Sequence, residues 1–183
     1  MLAQRGLARV DAIDIAPEAV EQAERNVAHS PWPGAVEVHH SSFQLWAEAC
    51  PSPYELVVSN PPYFSNSLKG PDERRNAMRH NDLLPHDELL EALDLCLSPD
   101  GVFAGIFPTS EGALFIARAA QLGFYCRRQL LVSAKPNGPV KRMLCELSRG
   151  SGAGVEEQMS IYDHSGEYAR GYRELTGDFY LNF

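Results

Sequence analysis

Apolar positions follow two alternating patterns along the chain, short β-branched runs and longer stretches in which apolar residues recur with helical spacing. The short runs predict strands at 10–15, 36–39, 54–59, 102–107, 125–132 and 140–147. The helical spacing predicts helices at 17–29, 44–49, 85–97 and from a capping Thr109 or Ser110 to Gly123. Strands and helices alternate until a terminal antiparallel pair of strands. This order predicts an α/β fold with a mostly parallel sheet.

The composition is that of a globular protein, with 183 residues, 44% of them hydrophobic and 22% charged. A chain of this length can bury a core, so a single domain over 1–183 is expected. No apolar run reaches the roughly 18 residues of a membrane span, and no leader-like segment opens the chain. The four cysteines are widely spaced and the six histidines show no ligand spacing, which predicts reduced thiols and no metal site. A cytoplasmic location is therefore expected.

The net charge of −8 argues against broad, non-specific coating of nucleic acid, although it leaves room for a local basic patch. One group of arginines, Arg74, Arg75 and Arg79, follows the third predicted strand and supplies candidates for phosphate contacts. A second basic group comes later in the chain, at Arg127, Arg128, Lys135, Lys141 and Arg142. Lysine and arginine side chains are usually just solvated, so either group can also be ordinary surface.

The strand at 54–59, expected to be buried, stops at Asn60, Pro61, Pro62 and Tyr63. The two prolines fix their own φ angles and hold the residue before each of them extended. The stiff turn presents the Asn60 amide oxygen and the Pro61 carbonyl at the carboxyl end of a strand, where ligands bind in open α/β sheets. Two acceptors and the Tyr63 ring suit a planar amino group. The alternative is a strand terminator with buried aromatic residues behind it.

Asp14 ends the first predicted strand, directly before the helix that Pro17 opens. A carboxylate in that position can accept hydrogen bonds from a ribose diol. It can equally well cap the helix that follows. Both roles stay open from the residues alone.

The tail of the chain, 168–183, predicts a short helix followed by a segment rich in aromatic residues. These aromatic side chains are expected to pack on the sheet. Stacking on nucleic-acid bases is the alternative use of the same side chains.

Asp14 after one strand and Asn60-Pro61-Pro62-Tyr63 after another together resemble the class I S-adenosylmethionine-dependent amino-methyltransferases. The stretches 1–5, 26–32, 59–63 and 168–181 extend the likeness over nearly the whole chain, and bring it near the bacterial tRNA (adenine-N6) methyltransferases that modify adenine 37 of valine tRNA. The resemblance implies a Rossmann-like sheet, S-adenosylmethionine as cofactor and tRNA as substrate. The family motif is specific for a planar nitrogen; a ribosomal-RNA guanine, a DNA adenine or a protein glutamine remain alternative substrates.

The resemblance also implies how the target base is held. Asn60 and the Pro61 carbonyl would accept hydrogen bonds from the exocyclic amine of an adenine flipped out of its stack, and Tyr63 would stack on that base. Pro62 would complete the rigid turn. The nitrogen lone pair would then point at the methyl group to be transferred.

For the cofactor, the resemblance implies that Asp14 holds the ribose and that Asn60 borders the methyl group. Ser42 stands where the family often has an acid that reads the adenine of the cofactor, and the Phe43 backbone N–H lies beside it. The family's first strand and glycine-rich loop precede the helix with which this sequence begins, so an N-terminally truncated chain is expected. A sheet without that strand would leave backbone groups unpaired, at about 1–3 kcal/mol each. An inactive, cofactor-free fragment is therefore the other alternative.

Overall fold

A computed structural model describes residues 1–6, 9–50, 52–61 and 86–180. The chain divides into two compact units, Met1–Pro51 and Ser52–Phe183. The single domain expected over 1–183 stays a prediction. Within the described ranges, no helix combines the length and the apolar character needed to cross a bilayer.

The first unit is built on two parallel strands. Its elements are a 3₁₀ helix Ala3–Arg5, β1 Val10–Asp14, α1 Pro17–Ala28, β2 Val36–His40 and α2 Phe43–Glu48. Helix α1 begins at Pro17, because a proline at the first helical position loses no hydrogen bond there. The register of β1 and β2 places Asp14 opposite His40, so both strands end at the same edge.

The second unit contains a five-stranded sheet. Its elements are β3 Tyr54–Ser59, α3 His86–Cys96, β4 Leu97–Pro108, α4 Thr109–Gln121, β5 Phe124–Ser133, β6 Val140–Arg149, β7 Val155–Ser160, α5 Arg170–Thr176 and a 3₁₀ helix Gly177–Phe179. The strand order is β3-β4-β6-β5-β7. Strand β6 runs antiparallel to both of its neighbours, whereas β3 with β4 and β5 with β7 are parallel pairs.

The predicted α/β class is confirmed, since three of the five strand pairings described are parallel and helices alternate with strands. The predicted side-chain cap of α4 is wrong. The N-cap is Pro108, without a side-chain cap bond, and the Thr109 hydroxyl instead donates to the Val140 carbonyl oxygen at 3.2 Å. That bond ties the start of α4 to β6, a tertiary contact that capping rules do not include.

The prediction that the third strand is buried is also wrong. The side chains of Leu56 and Val58 are 39% and 52% exposed. Among the described residues β3 is the outermost strand of its sheet and pairs only with β4. Its apolar character therefore does not translate into burial in this unit.

Three phenylalanines form the centre of the core, Phe103 and Phe107 on β4 and Phe115 on α4, and all three are fully buried. The Phe107 and Phe115 rings stack with centroids 4.6 Å apart and an angle of 28° between their planes. Helix α3 adds Leu90 and Leu93, also without exposed surface, from its predicted apolar stripe. The two helices thus cover one face of the sheet.

The four cysteines are free thiols, as predicted. Cys96 and Cys145 are buried, and Cys50 and Cys126 are half-buried. Burial raises the pKa of Cys145 to about 12, so this thiol stays protonated and packs as a small apolar group.

His86, the first residue of α3, packs edge-on against two rings of the core. Its ring centroid lies 5.8 Å from that of Phe107 and 5.3 Å from that of Phe115. Burial lowers the pKa of His86 below its ordinary value of 6.5, although Glu111 acts in the opposite direction. The folded state therefore favours the neutral imidazole.

We expect the stability contributed by neutral His86 to be present above pH 6.5 and to be lost as the pH falls through the lowered folded-state pKa. The buried imidazole of His86 is harder to protonate than the exposed one of the unfolded chain, so acid favours the unfolded chain. The free energies of unfolding of wild type and His86→Phe, measured in urea at about pH 7.5 and about pH 5.5, should converge or cross in favour of the variant at the lower pH. Two proteins with parallel pH dependence would contradict the assignment.

Candidate active site

The turn after β3 presents the amide predicted to bind the substrate. Asn60 follows the last strand residue and is exposed, whereas Pro61 behind it is buried. The buried proline anchors the chain and leaves the exposed Asn60 at the carboxyl end of the strand. Pro62 and Tyr63, the rest of the predicted motif, lie outside the described residues, as do Arg74, Arg75 and Arg79.

The position of Asn60 is fixed by how β3 packs on β4. Ser59, its neighbour in the chain, pairs with Gly105. A Cβ added at Gly105 would lie 2.6 Å from the Phe107 ring and 2.7 Å from the Phe103 ring. Glycine at this point therefore lets the two core rings close over the strand beside the end of β3.

Asp14 lies at the edge of the first unit, with an exposed carboxylate at the end of β1. Its Oδ1 accepts a hydrogen bond from the Ala16 N–H at 2.8 Å, which fixes the turn into α1. This bond closes the turn before the helix but does not cap it, because the N-cap of α1 is Ala16 and has no side-chain cap bond. Within the described ranges, Oδ2 forms no hydrogen bond or ion pair, so that oxygen can still receive a hydroxyl donor.

Ser42 and Phe43 lie at the same edge as Asp14. The Ser41 N–H donates to the Asp14 carbonyl at 3.1 Å, which joins the segment after β2 to the end of β1. The Ser42 hydroxyl accepts from the Leu45 N–H at 3.3 Å and so caps α2. Helix α2 begins at Phe43, one residue before the predicted start, and the Phe43 N–H is among the first-turn donors that have no acceptor within the helix.

The predicted residues thus form two sets that belong to different units. Asp14, Ser42 and Phe43 meet at one edge of β1 and β2, in the unit Met1–Pro51. Asn60 and Pro61 belong to Ser52–Phe183. Each set is local to its own sheet edge.

The contacts of one buried carboxylate in the first unit were not predicted from the sequence. The Asp11 side chain is 4% exposed; its Oδ1 lies 3.0 Å from His39 Nε2 and its Oδ2 lies 3.5 Å from Arg9 Nε. The ring centroids of His39 and Trp46 lie 4.2 Å apart. A carboxylate oxygen of Glu37 lies within 4.8 Å of a carboxylate oxygen of Asp11 and a ring nitrogen of His39. The existing contacts already satisfy the Asp11 carboxylate.

This group escaped prediction because its members are far apart in sequence. His39 follows Asp11 by 28 positions, and only the parallel register of β1 and β2 brings them together. The alternating polar residues of the two strands were the one signal available.

Comparison with known proteins gives one clear relationship by sequence. No protein-family model matches the chain. The tRNA1(Val) (adenine(37)-N6)-methyltransferase of Yersinia pestis (strain Pestoides F) is 36% identical over 185 residues, an alignment that covers 100% of this chain and 75% of that protein.

Solved structures show a related fold at low sequence identity. A predicted O-methyltransferase from Agrobacterium tumefaciens superposes with a TM-score of 0.71 and 18% identity, over 92% of this chain and 77% of that chain. A TehB-like SAM-dependent methyltransferase from Corynebacterium glutamicum gives a TM-score of 0.50 and 14% identity, over 77% of this chain and 68% of that chain. These superpositions confirm the Rossmann-like fold expected from the order of strands and helices.

Proposed function

We propose, from the premise that this chain belongs to the tRNA1(Val) (adenine(37)-N6)-methyltransferase family, that it methylates N6 of adenine 37 in valine tRNA. The observation that carries the proposal is the exposed Asn60 amide at the carboxyl end of β3, backed by the buried Pro61. An amide oxygen and a carbonyl oxygen in series match the two N–H donors of an exocyclic amine. A substrate in the cell's tRNA also supports the expected cytoplasmic location.

The residues of the first unit fit the cofactor S-adenosylmethionine, which supplies a methyl group activated by its sulfonium. Asp14 has one carboxylate oxygen engaged by the Ala16 N–H and can use the other for the ribose hydroxyls. The Phe43 N–H, at the start of α2, can donate to the adenine ring of the cofactor. Ser42 would support this contact by capping the helix, because its hydroxyl is already held by Leu45.

The proposed role of Asn60 is to orient the nucleophile. Its amide oxygen and the Pro61 carbonyl accept the two amine hydrogens, and the nitrogen lone pair is thereby turned toward the methyl donor. Tyr63 stacks on the flipped base, while Pro62 keeps the turn rigid. Positioning of this kind contributes up to about 7–11 kcal/mol in well-oriented reactions.

The arginines Arg74, Arg75 and Arg79 are proposed to contact tRNA phosphates near the target base. Each lost phosphate contact should reduce the salt dependence of binding by about one unit of slope. Their place in the chain, shortly after the motif that binds the base, supports this role.

The proposal is tested by incubating the full chain with S-adenosylmethionine and an unmodified valine tRNA transcript, and measuring N6-methyladenosine by mass spectrometry. A single new N6-methyladenosine at position 37 is expected, and a deletion strain should lose that modification from its tRNA. A guanine-containing ribosomal RNA fragment, a DNA duplex and a glutamine peptide serve as parallel substrates. Methylation of one of these, with none of tRNA, would refute the tRNA assignment and keep planar-nitrogen methylation.

We expect Asp14→Ala to raise the Kd for S-adenosylmethionine by about 10- to 150-fold, measured by calorimetry. The reason is the loss of a charge-assisted hydrogen bond to the ribose. Asp14→Asn keeps an oxygen for the Ala16 N–H and should fall between Ala and wild type. The exposed Glu18→Gln, in the first turn of α1, removes one negative charge nearby and should bind like wild type.

An unchanged Kd in Asp14→Ala would assign Asp14 to the turn before α1 alone. Absence of any cofactor binding by the wild-type chain would favour the cofactor-free alternative.

A further inference from the structure

Strand directions place one edge of the five-stranded sheet at the proposed site. Strands β3 and β4 are parallel, so both end at the edge where Asn60 follows β3. Strand β6 is antiparallel to β4 and begins there, and β5 and β7 end there in turn. The turn between β5 and β6 and the segment after β7 therefore lie at the same edge as Asn60.

The turn between β5 and β6, together with the first residues of β6, carries exposed cations. Lys135, Lys141 and Arg142 are all exposed, and the register sets Arg142 opposite Pro108 at the end of β4. Lys135 and Lys141 form no ion pair with any carboxylate in the described part of the chain. Their charge is thus available to an anionic partner.

The same turn is held in one conformation. The Gly138 N–H and the Ser133 hydroxyl both donate to the Lys135 carbonyl, at 3.0 and 2.8 Å. Asn137 adopts the left-handed conformation with φ of 58°, which confirms the turn that the Asn-Gly pair indicates. A fixed turn presents its cations at little cost in conformational entropy.

A stack of tyrosines follows β7 at this edge. The rings of Tyr162 and Tyr168 lie 5.1 Å apart at 24°, and those of Tyr168 and Tyr172 lie 5.7 Å apart at 19°. The hydroxyls of Tyr172 and Tyr180 are 3.4 Å apart, and Tyr180 is 54% exposed. The Tyr162 N–H donates to the Ala134 carbonyl at 3.0 Å, which attaches the stack to the basic turn.

Two phenols of this stack have a raised pKa, that of Tyr172 and that of Tyr168, the latter through its hydrogen bond with Tyr162, and both stay neutral near physiological pH. The hydrogen bond with Tyr180, with burial as the next cause, raises the pKa of Tyr172 to about 12. A neutral aromatic surface beside cations can approach a phosphate backbone without repulsion and stack on its bases.

The two arginines of α5 contribute little to the positive charge at this edge of the sheet. Arg170 pairs with Glu174 at 2.7 Å and Arg173 lies 3.7 Å from Glu167. These pairs are internally compensated, so the attraction for an anion comes from the turn between β5 and β6.

We infer that this edge is an RNA-binding surface, on which Lys135, Lys141 and Arg142 contact phosphates and Tyr180 stacks on an unpaired base. The inference rests on the proposed tRNA substrate and extends it. Strands β3 and β7 stand four inter-strand steps apart, or roughly 19 Å, a distance that a few nucleotides of single strand cover. A base held at Asn60 and its neighbours in the loop can thus lie along the same edge.

The test measures the Kd of an unmodified valine tRNA transcript by fluorescence anisotropy over a series of KCl concentrations. Lys135→Gln and Lys141→Gln should each weaken binding and flatten the plot of log Kd against log salt by about 0.7–0.9. Arg127→Gln, with the same loss of charge near the start of β5 at the opposite edge, should leave both quantities as in wild type.

Tyr180→Ala should raise the Kd by about 5- to 150-fold with little change of salt slope, because stacking is not electrostatic. Val155→Ala, which truncates an exposed apolar side chain at the opposite end of β7, is its control. Circular dichroism verifies the fold of each variant.

The surface is overturned if the lysine variants behave like Arg127→Gln, or if Tyr180→Ala binds like wild type. Neither of these outcomes contradicts the proposed function, provided that the wild-type chain binds tRNA. A wild-type chain without affinity for tRNA would instead refute the proposed substrate, so the two failures are distinct.

Discussion

Replacing Asn60 with alanine should lower methyl transfer to tRNA by about 100- to 1,000-fold while the protein stays folded. Asn60 is exposed, so its replacement opens no cavity in the core and its main effect falls on the reaction. Without the amide oxygen, the amine nitrogen loses the contact that aims its lone pair. Single-turnover formation of N6-methyladenosine, followed by mass spectrometry, measures the effect.

Two further variants make this result specific. Asn60→Asp keeps an acceptor oxygen and should retain more activity than the alanine variant. Asn26→Ala removes an exposed amide from α1, outside the proposed site, and should have wild-type activity. Turnover by Asn60→Ala at the wild-type rate would refute the assignment of the motif.

Replacing Phe115 with alanine should reduce the free energy of unfolding by about 3–5 kcal/mol. The ring is fully buried and touches both Phe103 and Phe107, so its removal leaves a cavity between α4 and β4. Urea denaturation followed by circular dichroism measures the change. Because 5 kcal/mol approaches the whole stability of many domains, partial unfolding without denaturant is also a supporting result.

The matched control for that variant is its neighbour in the same helix. Leu114 is 61% exposed, so Leu114→Ala truncates an apolar side chain of the same helix without opening a cavity. Its free energy of unfolding should stay within about 0.5 kcal/mol of wild type. Equal losses in the two variants would contradict the placement of Phe115 at the centre of the core.

The third strand shows how local and tertiary information separate. Its bounds, Tyr54–Ser59, agree with the sequence pattern, because a β-branched run ended by prolines leaves the backbone few choices. Its burial could not be predicted, since Leu56 and Val58 would be covered only if something packed on that strand. Strand position within a sheet is a tertiary property.

The candidate site divides in the same way. The exposed Asn60 amide was predicted from four consecutive residues, and the predicted role of Asp14 from its place between a strand and a helix. That Ser42 caps α2 was within reach of sequence rules, because serine three residues before a helical N–H is a common N-cap. The hydrogen bond between Asp11 and His39 could not be predicted in this way, since 28 residues separate its members.

The sequence by itself determined most of the elements and their order, though not β7, because periodicity and proline act between neighbours in the chain. Only the tertiary structure decided which strand ends share an edge. It brought Asp14 and Ser42 to one edge through the register of β1 and β2, and it placed Lys135 and the tyrosines after β7 at the edge of Asn60. Strand pairing depends on many weak interactions between residues that are far apart in the chain, so no short stretch of sequence predicts it.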